Sequence, residues 1–263
     1  MRASIITLRA LRALSVAMLA TAIAATSGFA QASMVSSYSQ DFNSIGTALP
    51  TGWAVWTSST TNSNGTSFTW DGTALANNAS WTSGTTFRNL PGASQSWSAG
   101  LSSGTDRALA WRAGSAATRD GSITFTLSNT SGYTFDSLSF QLFTPNSSGT
   151  AGTFQLQYQI GSGTFTQLAS ISYTNDTAQN PLTVTSITLS SGQLTVLNNQ
   201  TDQVTLRLDN TASSGTTWNT LAIDNFSFAA TAVPEPSTYA ALAGLAALAG
   251  VVVHRRRRAR SAV

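Results

Sequence analysis

Between Gly121 and Asp209 the apolar residues keep a period of two, and few folds are open to a chain spaced that way. Ile123, Phe125 and Leu127 alternate with Ser and Thr, as do Leu138, Phe140 and Leu142. Phe154, Leu156, Tyr158 and Ile160 repeat the pattern, and so do Val204, Leu206 and Leu208. Successive side chains of an extended strand point to opposite faces, so each run buries one face and wets the other. Gly161-Ser-Gly163 marks a tight hairpin after Ile160, returning through Phe165, Leu168 and Ile171. Turn clusters at Asn129-Thr-Ser-Gly132, Pro145-Asn-Ser-Ser-Gly149 and Asn175-Asp176 fall at sandwich spacing. No useful helical period appears outside the two ends. The fold expected is all-β: an antiparallel β-sandwich of jelly-roll type, with an N-terminal signal helix and a single C-terminal transmembrane helix added.

Both ends read as addresses. Arg2, Arg9 and Arg12 form a basic region, Ala13 to Ala25 an apolar one, and Ala30-Gln31-Ala32 a small-x-small cleavage site. That order is a secretory signal peptide, with the mature chain expected to begin at Ser33. At the other end stand Val233-Pro-Glu-Pro-Ser-Thr238, the apolar run Tyr239 to Val253, and a basic tail of Arg255, Arg256, Arg257, Arg258 and Arg260. Pro234 and Pro236 lack backbone N–H groups and hold the residues before them extended, a shape a protease can grip. The run from Tyr239 to Val253 carries no charge, as a membrane helix requires, although its length of about 22 Å falls short of a hydrocarbon core near 30 Å. Arginines at a membrane flank stay on the cytoplasmic side, so everything before Val233 is expected on the far side. Three parts follow: a signal peptide at 1–32, a secreted β-domain at 33–232, and a sorting tail at 233–263, joined by a short linker from Ala229 to Ala232.

The tail resembles the PEP-CTERM sorting signal of Gram-negative bacteria, its motif being Val233, Pro234, Glu235 and Pro236. That resemblance implies recognition by an integral-membrane exosortase that cuts near the motif. It also implies a transient anchor in the inner membrane, and a final place at the cell surface or in an extracellular matrix linked to exopolysaccharide and biofilm.

Composition narrows what the secreted part can do. The whole chain carries +3, but eight of its thirteen arginines lie in the two ends. Between Ser33 and Ala232 five arginines face nine aspartates, leaving a net charge of −4 and no clustered basic face for nucleic acid. That stretch has no Cys, His, Lys or Glu. Disulfides are therefore excluded, and the usual general bases, imine-forming amines and soft metal ligands are missing. The expectation is a non-enzymatic protein. Asp106, Asp120 and Asp209 would make a glycosidase pair only if two of them stood at suitable separation.

Two constellations remain. Gln40-Asp-Phe-Asn43 with Leu49-Pro-Thr-Gly-Trp53 resembles the opening strand and loop of secreted galactose-binding-like jelly rolls. Tyr158-Gln-Ile-Gly-Ser-Gly-Thr-Phe165 resembles their hairpin, and Leu221-Ala-Ile-Asp-Asn-Phe-Ser-Phe228 their closing strand. In such folds the first and last strands lie close and a structural calcium occurs near such positions. The resemblance thus nominates Asp41, Asp224 and Asn225 as Ca²⁺ ligands, against the plainer reading that these residues cap turns. Among the seven tryptophans, Trp53, Trp56 and Trp111 sit in strand-like contexts and are expected in the core. Trp70, Trp81, Trp97 and Trp218 lie among polar loop residues. They would stack on sugar rings if the domain were a carbohydrate-binding module, or pack loops onto the sandwich if it were not.

Overall fold

The computed structural model describes residues 30–57, 59–60, 62–70, 72, 86–91, 106–112, 121–143, 152–173, 184–209, 220–234 and 236–260. The chain divides into two compact units, Met1–Ala30 and Gln31–Val263. The expected signal helix falls in the first, outside the described residues.

Among the described residues the second unit has twelve strands in chain order: β1 (Ser37–Gln40), β2 (Trp53–Thr57), β3 (Thr66–Ser67), β4 (Thr86–Pro91), β5 (Arg107–Arg112), β6 (Gly121–Leu127), β7 (Tyr133–Phe143), β8 (Gly152–Ile160), β9 (Thr166–Tyr173), β10 (Val184–Ser190), β11 (Val204–Asp209) and β12 (Thr220–Ala232). They form two six-stranded antiparallel sheets. One runs β10-β7-β12-β5-β4 with β1 added on β12, and the other runs β3-β2-β6-β11-β8-β9. From β6 to β8, and again from β9 to β12, consecutive strands alternate between sheets, which is how a sandwich buries a period-two pattern from both sides.

The alternating residues land where the period puts them. Ile123, Phe125, Leu127, Leu138, Phe140, Leu142, Phe154, Leu156, Val204, Leu206 and Leu208 share one buried core, with Tyr158 half-buried against it. Ile160, at the end of β8, is only half-buried and stands outside that core. An aromatic centre joins the sheets: Trp53 meets Phe226 edge-on at 5.0 Å, and Tyr38 meets Phe125 at 4.9 Å. Each large apolar side chain sealed here is worth about 1.5–3 kcal/mol, and with no cysteine in the chain this burial carries the stability.

Several expectations need correction. Trp56 is not in the core; it is half-buried on the outer face of β2, and its indole Nε1 donates to Thr124 Oγ1 at 2.9 Å. Trp53 and Val55 take the inner positions of that strand, so Trp56 must point the other way. Ala229 to Ala232 is not a linker: these residues complete β12, pairing with Ser137, Phe135, Thr134 and Tyr133. Ala32, placed by sequence at the end of the leader, is built into the sandwich. It forms a parallel bridge with Leu127, donates its N–H to Thr126 O at 2.9 Å and accepts from Ser128 N at 2.9 Å.

The expected transmembrane helix also changes character. A 25-residue helix does form over Pro236–Arg260, yet among the described residues no helix is long and apolar enough to cross a membrane. Its charge-free run from Tyr239 to Val253 is short and mostly Ala and Gly, whose small side chains bring little apolar weight.

Candidate functional site

The tail leaves the sandwich abruptly. β12 ends at Ala232, and the next residue, Val233, donates its backbone N–H to Gly132 O at 2.7 Å. Pro234 follows, exposed and outside any element. Glu235 lies outside the described residues. Pro236 opens the terminal helix, where a missing N–H costs nothing because the first turn has no intrahelical acceptor for it. Tyr239, Leu242, Leu245, Leu248 and Val251 to Val253 are all exposed along that helix. Arg255 is likewise exposed, and the backbone of Arg256, Arg257, Arg258 and Arg260 continues the helix to its end.

The first and last strands do lie together. Gln40 pairs with Phe226, which places Asp41 and Asn225 at the next step of the same ladder. At that step β12 exchanges partners: β5 runs beside it up to Ile223, and β1 takes over from Phe226. A bulge between Asp224 and Ser227 accommodates the change, with Asn225 in a left-handed conformation at φ 50°. Asn225 Nδ2 donates to Gln141 Oε1 at 2.8 Å, and Asn225 N donates to the buried Asp224 Oδ1 at 2.7 Å.

Asp41 is exposed, and its two oxygens accept from Asn43 N and Asn43 Nδ2, each at 3.1 Å. Asn43 Oδ1 in turn accepts from Arg107 N at 2.6 Å, stitching the end of β1 to the start of β5. The Arg107 guanidinium is buried, donating to Asn89 Oδ1 at 2.7 Å and Asn89 O at 2.8 Å, and burial lowers its pKa.

Of the oxygens nominated for Ca²⁺, both of Asp41 and Oδ1 of Asp224 accept N–H bonds. Among the described residues no group of three or more acidic, His or Cys side chains is placed to hold a metal.

A second polar cluster, which the sequence reading did not single out, lies on the outer face of β11. Arg207 and Asp209 are both fully buried, with Nη2 and Oδ2 3.3 Å apart. Arg207 donates Nε and Nη2 to Gln157 Oε1 at 2.8 and 2.6 Å, and Nη1 to Ser63 O at 2.8 Å. Its guanidinium carbon sits 3.7 Å from the Phe165 ring centre. Ser59 Oγ donates to Asp209 Oδ1 at 3.1 Å. Burial lowers the Arg207 pKa, with Asp209 opposing that shift. Asp209 is thus sealed against an arginine and a serine hydroxyl. Of the other aspartates weighed for catalysis, Asp106 is half-buried beside β5, and Asp120 lies outside the described residues.

Trp70 does not present a free ring. It packs against the core, and its Nε1 donates to Gly46 O at 2.7 Å, which ties a loop to the sandwich. Trp81, Trp97 and Trp218 lie outside the described residues. Trp111 sits in the core as expected, its indole pressed against Gly121.

A family profile described as the PEP-CTERM protein-sorting motif matches residues 232–258. The chain carries that motif. Its presence marks an exported protein processed at the cell envelope. A search of curated proteins found no match to the chain. Solved structures that it resembles include the enzymatically active domain of bacteriophage CBA120 tailspike protein 4, at 10% identity and TM-score 0.36, covering 68% of this chain and 19% of that one. The family 11 carbohydrate-binding module of Clostridium thermocellum shows 9% identity and TM-score 0.40 over 77% of this chain and all of its own. A cleaved adhesin domain of Lys-gingipain from Porphyromonas gingivalis shows 12% identity and TM-score 0.43 over 75% and 99%. Likeness at this level says nothing of ligand or activity here.

Proposed function

We propose that this chain is a non-enzymatic surface or extracellular-matrix protein of a Gram-negative bacterium, exported by its N-terminal segment and released by an exosortase at Val233 to Pro236. The supporting observation is the tail: a matched sorting motif begins where the last strand ends, and the helix after it buries none of its described side chains. An exposed apolar helix with an arginine end suits the inner-membrane surface, where lipid covers the apolar side chains and anionic headgroups hold the arginines. The anchor is transient because processing removes it.

The domain before the motif acts as passive scaffold. Its composition without Cys, His, Lys or Glu, its sealed Asp209 and its tied Trp70 all support a part that is placed rather than one that reacts. A matrix of exopolysaccharide, as in biofilm, is the destination this reading assigns.

The test is localisation of the full chain in cells with and without an exosortase. With the enzyme, the protein is expected at the surface or in the medium; without it, or in a Pro234→Ala/Pro236→Ala variant, it stays with the inner membrane. Equal surface display in every case would refute the reading.

A further inference from the structure

We propose that the folded sandwich guards its own processing motif, so that release requires the last turn of the β12 ladder to open first. This rests on the sorting reading above and concerns how the same site is regulated.

A protease that cuts main chain must take several consecutive residues in extended form and supply its own backbone hydrogen bonds to them. The residues before the motif are not available for that. Ala230, Thr231 and Ala232 pair with Phe135, Thr134 and Tyr133, and Val233 N–H is held by Gly132 O at 2.7 Å. Thr231 Oγ1 donates to Asp136 Oδ2 at 2.8 Å, a further tie across the same pair of strands. On the other edge Ala230 N donates to Ser36 O at 2.8 Å. From Pro236, the last residue of the motif, the chain is helical. Between the last strand and the helix, Val233 and Pro234 are the described residues that belong to neither, and Val233 is still held by its N–H bond.

Opening has a natural stopping point. Ala232, Thr231 and Val233 are exposed, so peeling them away uncovers little apolar surface. Ala230 and its partner Phe135 are buried in the core, and opening past them would breach the sandwich. The mobile unit is thus Thr231 to Val233, a local fraying of the kind sheets undergo at strand ends. Each hydrogen bond lost lowers the open population by roughly fivefold, and three such bonds by about a hundredfold. Processing is then slow while the domain is intact and fast once slack is supplied.

The experiment uses the full chain with an exosortase in membranes and follows release of the domain. One variant inserts Gly-Ser-Gly-Ser between Ala232 and Val233, giving the protease extended chain without unzipping β12. A second, Thr134→Cys/Thr231→Cys, places cysteines at directly opposed positions, whose Cα separation in a sheet suits a disulfide. The native chain has no cysteine, so reductant acts on this bond alone within the substrate.

The insertion is expected to speed release at least about tenfold, in keeping with removal of the fraying step. The oxidised double-cysteine protein should be released at least about tenfold more slowly than the same protein reduced. Release of all forms at the native rate would overturn the guarding role and leave the sorting reading standing. Failure of every form, native included, to be released would remove both.

Discussion

Replacing Arg207 by Ala should be among the most damaging single changes in the sandwich. Arg207 is fully buried and holds four groups at once: Gln157, the Ser63 carbonyl, the Phe165 ring and Asp209. Removing it leaves Asp209 charged in a dry environment, with its arginine counter-ion gone. Breaking a buried pair from one side costs about 3–5 kcal/mol, because the remaining charge has lost its water and gained nothing. For a domain near 200 residues that is a fall in Tm of about 10 °C, at about 2–4 °C per kcal/mol. The assay is urea and thermal unfolding of residues 31–232, followed by Trp fluorescence, for native chain, Arg207→Ala, Asp209→Ala and the double variant. The double variant should recover part of the loss, since no buried charge is then stranded. A cost below about 1 kcal/mol for Arg207→Ala would refute the claim that this pair clamps the outer face of the sheet.

Three further outcomes follow from particular contacts. Gly121→Ala should destabilise by about 1–3 kcal/mol, because a Cβ there would lie 2.1 Å from Trp111 Nε1 in a core that cannot shift aside; an unchanged urea midpoint would contradict that packing. Burial raises the Tyr38 pKa, with the hydrogen bond from Trp53 opposing the shift. A folded pKa above the unfolded one adds stability that is whole below about pH 10 and is lost as the pH climbs through the folded value, so Tyr38→Phe should flatten the alkaline slope of unfolding free energy. The mature N-terminus should be Gln31, since Ala32 is bonded into the sandwich and Gly28-Phe29-Ala30 offers an equivalent small-x-small site. N-terminal mass analysis giving Ser33 would show those two backbone bonds to be dispensable.

The inner faces were legible because period two is a backbone property: once Ile123, Phe125 and Leu127 share a face, their burial needs no knowledge of partners. Trp56 escaped that reasoning. It is apolar yet sits on the outward parity of β2, where an indole N–H can reach Thr124, and parity outranked hydrophobicity. Ala229 to Ala232 read as linker because small residues signal nothing about ladder membership, which β7 supplies from far away in sequence. The Arg207–Asp209 pair was invisible for a related reason: two charges at alternate positions of a strand ordinarily face water, and here segments distant in sequence, holding Ser59, Ser63 and Phe165, cover them. The N–H groups of Asn43 and Asn225 that turn toward the carboxylates of Asp41 and Asp224 were not legible either, since they depend on local backbone turns that residue types alone do not reveal.

The chain is expected to be cut where strand gives way to helix. Intact mass spectrometry of the form recovered from the cell surface tests it most directly. The predicted species ends within Val233 to Pro236 and lacks the terminal helix with its arginines; a surface form that still carries Arg255 to Arg260 would contradict it.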